Sequence, residues 1–250
     1  MSGHSKWASI KHQKGVTDAR RGQLFTKLTK EIIIAAREGG GNPEMNFRLR
    51  LGIQKARDAN MPMDNIERAI KKGTGELEGG SLVELTLEGY GPNGVAILVN
   101  ALSDNRNRAI QEVRSTFTKH GGSLGEAGSV AWMFDYKGVI SLKAGDYDPE
   151  ELALSVMDTG AEDVKAEGDY VEIYTAPENL MKVREALESQ NVEIENSEAM
   201  MIPKTMIELE DKAAGQLLKL MEKLEDIDDV QNVYSNADIS ESAAEAYQAS

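Results

Sequence analysis

Residues 138–202 constrain the fold most, because six segments there form one complete cycle of secondary structure. Four segments have the composition of strands, and two have the apolar spacing of helices. The strands are GVISLK, AEDVKAEG, DYVEIYTA and VEIENSEAMMI, and the helices are DPEELALSVMDTG and APENLMKVREALESQ. The order β-α-β-β-α-β is that of a ferredoxin-like domain, which we predict over residues 136–204.

The segments on either side of this cycle are incomplete on their own. Residues 81–135 contain predicted strands at LVELTLEGY, VAILV and SVAWMFDY, with a helix from about Asp104. In LVELTLEGY apolar and polar residues alternate, which puts Glu88 on the polar side. Residues 205–234 add a strand at TMIELE, a helix and a strand at VQNVYSN, which are too few elements for a separate domain. We therefore predict a split α+β domain, residues 79–135 and 205–240, with the ferredoxin-like domain inserted into it.

The first part of the chain has the spacing of a helical bundle. Apolar residues recur at helical intervals over residues 17–38, after Asn42 and Pro43, and again near Pro62. The domain is predicted to span residues 1–78, and the turn-rich residues 73–80 are predicted to form an exposed linker. The last residues, 241–250, are rich in Ala, Ser and Glu and are predicted to be a frayed tail. The predicted fold class is α+β, with several domains.

Charge is distributed very unevenly along the chain. The formal net charge is −14, yet residues 1–80 contain 15 Lys and Arg against 9 Asp and Glu. Within residues 1–30 the contrast is seven cations against one acid, Asp18. Such asymmetry predicts a basic module that binds a polyanion. A solvated basic surface without a partner is the alternative.

The candidate nucleic-acid contacts lie in residues 1–30, which we call the basic arm. They are its cations together with its ring side chains. Lys and Arg neutralise phosphates and release counterions, and an exposed indole can stack on an unpaired base. Trp7 would either stack in this way or anchor the arm to the bundle. The candidates are Lys6, Trp7, Lys11, His12, Lys14, Arg20, Arg21, Lys27 and Lys30.

A second candidate anion site lies at DNRNR. Arg106 and Arg108 fall in the first turn of a predicted helix, where cations oppose the helix dipole. Together with the free N–H groups of that turn they would bind phosphate. The alternative is that Asp104 neutralises them.

Several classes of protein and site are not supported by the composition. No apolar run reaches the length of a membrane span, and no signal peptide is discernible, so a cytoplasmic location is expected. There is no Cys, and His4 and His12 are too far apart for paired metal ligands, so we predict no metal and no cofactor. No catalytic set is discernible either, and carboxylate runs such as EDIDD, residues 225–229, are typical of a solvated surface.

Long motifs resemble those of the YebC family. They are MSGHSKWASIKH, RRGQLFTKL, GGGNPEMNFRLR, ANMP, IERAIKKG, GYGPNGVAILV, SDNRNR and KHGGSLGEAGSVAWMF. They cover roughly residues 1–135, and the rest is similar in layout more than in local signature. The resemblance implies three domains: a helical one, a split α+β one and an inserted ferredoxin-like one.

The resemblance also implies a regulatory function. Bacterial members are known as probable transcriptional regulators that bind DNA, and a mitochondrial relative activates translation of cytochrome oxidase. Members are also tied to ribosomes stalled on proline-rich stretches. We therefore expect a non-enzymatic regulator of gene expression whose partner is duplex DNA or, alternatively, ribosomal RNA on the ribosome. The acidic residues 134–204 would repel phosphate and are expected to bind protein instead. An enzyme that uses an interdomain cleft and a protein-interaction scaffold are the remaining alternatives.

Overall fold

The computed structural model describes residues 18–145, 147–167 and 170–248, and these form two compact units. One unit is Phe134–Ile202, and the other combines residues 18–133 with residues 203–248. The helices are α1 (Asp18–Gly39), α2 (Phe47–Asp58), α3 (Met63–Gly73), α4 (Arg106–Lys119), α5 (Pro149–Val156), α6 (Leu180–Ser189), α7 (Asp211–Glu225) and α8 (Glu241–Gln248). The strands are β1 (Val83–Tyr90), β2 (Ala96–Ser103), β3 (Ser123–Leu124), β4 (Phe134–Lys143), β5 (Ala161–Glu167), β6 (Tyr170–Thr175), β7 (Asn196–Pro203), β8 (Ile207–Glu208), β9 (Val230–Ser235) and β10 (Ala237–Asp238).

The smaller unit has the β-α-β-β-α-β order, and its sheet runs β5-β6-β4-β7. Strand β6 pairs antiparallel with both β4 and β5. The two central positions fall to the first and third strands of the cycle, as in a ferredoxin-like domain. Its fully buried side chains include Ile140 and Ile173 from the sheet and Leu180 and Leu187 from α6. The predicted α+β fold class is confirmed.

The larger unit contains a sheet built from both sides of the insertion. The order is β3-β1-β2-β9, and β9 pairs antiparallel with β2 from Ile97 opposite Ser235 to Ala101 opposite Val230. Helices α4 and α7 bury Phe117 and Leu217 in the same core as these strands. The expected strand TMIELE is wrong in part, since only Ile207 and Glu208 form β8. They pair in parallel with β10 in a separate two-stranded sheet.

The first three helices pack around a small apolar core, in which Ile32 of α1 meets Leu49 of α2 and Ile66 of α3. The second helix begins at Phe47, so the start predicted at Asn42 and Pro43 is wrong. Asn46 caps it instead. Its side-chain oxygen accepts from the N–H of Leu49 at 3.0 Å, and its amide nitrogen donates to the carbonyls of Ala35 and Gly40. This buried amide satisfies the ends of two helices at once, which Asn42 could not do.

The end of the described chain is helical, so the expectation of a frayed tail is wrong. Helix α8 buries Ala243 and Ala244 in the core shared with α7. The Ser240 hydroxyl accepts from the N–H of Ala243 and so caps the helix, and the Tyr247 hydroxyl donates to Glu222. Two buried alanine side chains and a helix cap are enough to order a segment whose composition is that of a frayed tail.

The predicted strand SVAWMFDY begins late, at Phe134. Residues 131–133 form a 3-10 turn instead, because the carboxylate of Glu88 captures the N–H groups of Val130 and Ala131. Those are groups that a strand would have paired. Glu88 itself is buried, which corrects its assignment to a polar, outward side of β1.

Candidate nucleic-acid interface

The described residues begin within the basic arm, at Asp18. Lys6, Trp7, Lys11, His12 and Lys14 therefore lie outside them.

Arg20 and Arg21 fall in the first turn of α1. The side chain of Arg20 is not described, and Arg21 is exposed to solvent. The described part of the arm thus leads directly into the first helix of the bundle.

One face of α1, one to three turns further along the helix, contacts the turn between α7 and β9. The Lys27 amine donates to the carbonyl of Glu225 at 2.6 Å, and the Lys30 amine donates to the carboxylate of Asp229 at 2.8 Å. Gln23 donates to Asp226 and Asp228 from one turn earlier on the helix. These three side chains recur at i, i+4 and i+7, so they form one helical face. Lys27 and Lys30 were candidate phosphate contacts, and in this structure both amines bind oxygens of the same chain.

Asp229 is the centre of this contact. It is 4% exposed, and its carboxylate accepts from Lys30, from Arg108 at 2.8 Å and from the Ser103 hydroxyl at 2.7 Å. Burial alone would raise the pKa of Asp229, but these donors outweigh it and hold the pKa below its usual range. The sequence interpretation of EDIDD as solvated surface is therefore wrong for its last residue. One buried carboxylate joins α1 to α4 and to β2.

The two arginines at the start of α4 have different surroundings. Arg108 donates to Asp104 and Asp229, both at 2.8 Å, and hydrogen bonds to these acids raise its pKa. Arg106 is exposed and makes no side-chain hydrogen bond or ion pair with any residue that the structure describes. The helix N-terminus is capped by Asn105, whose side chain accepts from the N–H of Arg108. Neutralisation by Asp104, the alternative considered from the sequence, thus applies to Arg108 and not to Arg106.

An open cleft of about 830 Å³ runs between α1, α4 and the α7–β9 turn. Its charged lining consists of Lys30, Asp104, Arg108, Glu112, Lys119, Asp226, Asp228 and Asp229. Acids outnumber bases along these walls, and two of the three bases, Lys30 and Arg108, are already paired with acids. The cleft is therefore poorly suited to a phosphate in this arrangement.

The bundle presents further cations that the sequence candidates did not include. They are Arg37, Arg57, Arg68 and Lys71, all exposed. None of them makes a side-chain hydrogen bond or ion pair within the described ranges. Three of them lie in the last turn of a helix, where a cation complements the dipole and keeps its charge toward solvent. That position could have been used to find them in the sequence.

Comparison with known proteins defines the class of protein. Residues 5–76 match the N-terminal domain of TACO1/YebC proteins, and residues 82–237 match their second and third domains. The fold described above, with helices first and α+β units after them, is the architecture of that class. The chain belongs to the TACO1/YebC family.

Relatives of nearly the same length support this assignment. A probable transcriptional regulatory protein of Dehalococcoides mccartyi is 58% identical over 247 residues, which cover 99% of this chain and 98% of the relative. Another, of Natranaerobius thermophilus, is 56% identical over 248 residues, which cover 98% and 99%. The crystal structure of a conserved hypothetical protein from Aquifex aeolicus is similar with a TM-score of 0.79 and 49% identity, over 90% of this chain and 93% of that one.

No helix within the described ranges is both long and apolar enough to cross a membrane. Both relatives named above are probable transcriptional regulatory proteins. The pKa of Asp229 is lowered by donors that hydrogen-bond to it inside the fold. That displacement therefore has a structural cause.

Proposed function

We propose that this chain is a non-enzymatic regulator of gene expression that binds nucleic acid through its basic N-terminal domain. The observation that carries the proposal is the excess of cations in residues 1–80 of a protein whose net charge is −14. Electrostatic attraction to phosphate is largely independent of sequence and would act only at this end of the chain. The acidic remainder would keep the rest of the protein away from the polyanion.

The contact set leaves out the cations that the described fold pairs internally. We assign phosphate contact to five cations of the arm: Lys6, Lys11, Lys14, Arg20 and Arg21. Trp7 and His12 of the arm are included with them, and the exposed Arg106 and Lys71 are further candidate contacts. Lys27, Lys30 and Arg108 are assigned a different role, since their partners are oxygens of the chain itself. They hold the bundle against the split domain.

We propose that the chain has three domains with separate roles. They are residues 1–78, residues 79–135 with 205–240, and residues 136–204. The pairing of β2 with β9 across the insertion supports this division. Residues 134–204 contain 6 cations and 17 acids, which favours a protein partner with a basic surface for the inserted domain.

Duplex DNA is the first candidate target, because relatives are named transcriptional regulators. Ribosomal RNA is the second candidate, in a role on ribosomes that stall at proline-rich stretches. The observation that favours RNA is the acidity of most of the chain, which opposes lying along a duplex. Docking on a ribosome needs only one basic end and allows acidic domains to meet basic proteins.

The test is a binding titration over a salt series, with duplex DNA, ribosomal RNA and intact ribosomes as separate partners. Each phosphate that the protein neutralises contributes about 0.7–0.9 to the slope of log affinity against log salt. Changing Lys6, Lys11, Lys14, Arg20 and Arg21 to Ala should flatten that slope by about three to four. The partner with the largest loss is the physiological class of target.

A matched control removes five exposed lysines elsewhere. The set is Lys143, Lys165, Lys182, Lys212 and Lys219. This variant has the same net charge as the arm variant, so it should keep the wild-type slope if the arm makes the contacts. Equal slopes in the arm variant and the wild type, for every polyanion, would overturn the proposal.

A further inference from the structure

Trp132 is a large aromatic side chain that the fold leaves in solvent. It lies in the 3-10 turn 131–133, and 65% of its surface is exposed. Residues 125–133, all of them described, contain no other exposed large apolar side chain. An isolated exposed indole is unusual, because large aromatics ordinarily contribute to cores.

The loop that carries Trp132 is held in one conformation by a buried charge. The Glu88 carboxylate, 6% exposed, accepts from the N–H groups of Gly128 at 2.6 Å and of Val130 and Ala131 at 2.7 Å. Charge-assisted bonds of this kind are about twice as strong as neutral ones. The backbone on which Trp132 sits is therefore fixed before any ligand arrives.

The indole N–H and the carbonyl of Trp132 are already hydrogen-bonded within the chain. Its indole Nε1 donates to the carbonyl of Ser129 at 3.1 Å, and its own carbonyl accepts from the Lys204 amine at 3.0 Å. The N–H of Lys204 also donates to the carbonyl of Met133, at 2.9 Å. What remains for a ligand is the flat apolar surface of the ring. A partner that recognises it would pack against the ring face without a hydrogen bond to the indole.

We propose that Trp132 is a stacking site for an unpaired nucleobase of single-stranded RNA or DNA. This inference rests on the proposed function, and it adds a second contact far along the chain from the basic arm. Every base has a π face, so stacking on a rigid indole is strong and tolerant of sequence. A protein partner would instead favour a cluster of neighbouring apolar residues around the anchor, which this loop does not provide.

The indole ring of Trp132 carries no charge. Stacking here should therefore contribute affinity without neutralising phosphate, and its loss should leave the salt dependence of binding almost unchanged. This property separates Trp132 from the basic arm.

The experiment compares the full-length chain with its Trp132→Ala variant, so that the difference in indole emission between them belongs to Trp132. Short oligoadenylate is titrated while the indole emission is recorded, and stacking should quench it. Trp132→Ala should bind oligoadenylate about 5- to 150-fold more weakly with an unchanged salt slope, and Trp132→Phe should retain most of the affinity. Leu154→Ala, which removes another exposed apolar side chain, is the matched control and should bind normally.

The outcomes separate this inference from the proposed function. If the wild type binds and the arm variant loses its salt slope, but Trp132 emission and the affinity of Trp132→Ala are unchanged, the stacking site alone is wrong. If no nucleic acid binds the wild type, both are wrong. Quenching by a proline-rich peptide without quenching by oligoadenylate also overturns the stacking site, because the ring would then serve a protein ligand.

Discussion

Two carboxylates are buried in the larger unit, and they are stabilised in opposite ways. Glu88, 6% exposed, is surrounded by backbone N–H groups of one loop, whereas Asp229, 4% exposed, is surrounded by Lys30, Arg108 and Ser103 from separate elements. The donors around Glu88 are neutral dipoles fixed by the chain. Those around Asp229 are mainly charged side chains that solvent can reach. The first arrangement shapes a loop, and the second joins a basic region to an acidic one.

The largest effect is expected from Glu88→Ala. Three backbone N–H groups, of which that of Val130 is buried, would lose a charged acceptor, so the free energy of unfolding should fall by about 3 kcal/mol. Urea denaturation of the full chain measures it. Because the donors are neutral, the loss should be the same at low and high salt. A loss that disappears in concentrated salt would contradict this account of the site.

A smaller effect is expected from Asp229→Asn, about 2 kcal/mol at low salt, because Lys30 and Arg108 would lose their shared counter-charge. The side chain of Arg108 is 46% exposed, so ions can partly replace the carboxylate. Urea denaturation at low and high salt should show that the cost shrinks as salt rises. A salt-independent cost would mean that the ion pairs matter less than the neutral bond from Ser103.

Acid should remove both contributions. In each case the pKa of the carboxyl is lower in the folded protein than in the unfolded chain. Burial alone would raise it, but backbone donors at Glu88 and side-chain donors at Asp229 lower it further than burial raises it. Each carboxylate therefore stabilises the fold above about pH 4 and loses that effect as pH falls through its folded pKa. Unfolding free energies measured downward from neutral pH should converge for wild type and Asp229→Asn. If they diverge as pH falls, the sign of the Asp229 shift is wrong.

The smallest effect is expected from Ser103→Ala, which removes one neutral donor to Asp229 and costs about 1 kcal/mol. Lys30 and Arg108 remain in place, so the salt dependence of stability should stay close to wild type. Thermal unfolding at two salt concentrations checks this. If Ser103→Ala costs as much as Asp229→Asn, the hydroxyl and not the ion pairs holds the carboxylate.

The comparison also explains which features the sequence could predict. Period-two and helical patterns are local, and they predicted the order of elements in Phe134–Ile202 and the α+β class. The partners of Glu88 lie some forty residues downstream and are backbone N–H groups. Because almost every residue type has such a group, the sequence does not indicate which of them will bind the carboxylate. A glutamate in an alternating strand is therefore indistinguishable from a solvated one until the loop is placed.

Asp229 escaped prediction for a different reason. It is the last residue of an acidic run, and its neighbour Asp228 is exposed as composition suggests. Burial of one acid in the run depends on Lys30, which lies about two hundred residues earlier in the chain. Cations on one face of α1 could have suggested an internal partner, but the basic arm before them made phosphate the simpler hypothesis. The residues of that arm remain a prediction.

The pairing of β2 with β9 has a consequence for the order in which parts of the chain fold during synthesis. About 130 residues separate the two strands, and the whole of Phe134–Ile202 is synthesised between them. Contacts over such distances form late and slowly. The helical bundle, the β1–β2 pair and the inserted unit can gain their structure during synthesis, but the edge of β2 that pairs with β9 must wait for the last tenth of the chain. Until then its apolar edge is open to wrong partners, as in other folds whose closing strand comes last. We expect pulse-labelling during refolding to show that the backbone amides of the strands in Phe134–Ile202 become protected before the amides of β2 that pair with β9. The reverse order would contradict this sequence of events.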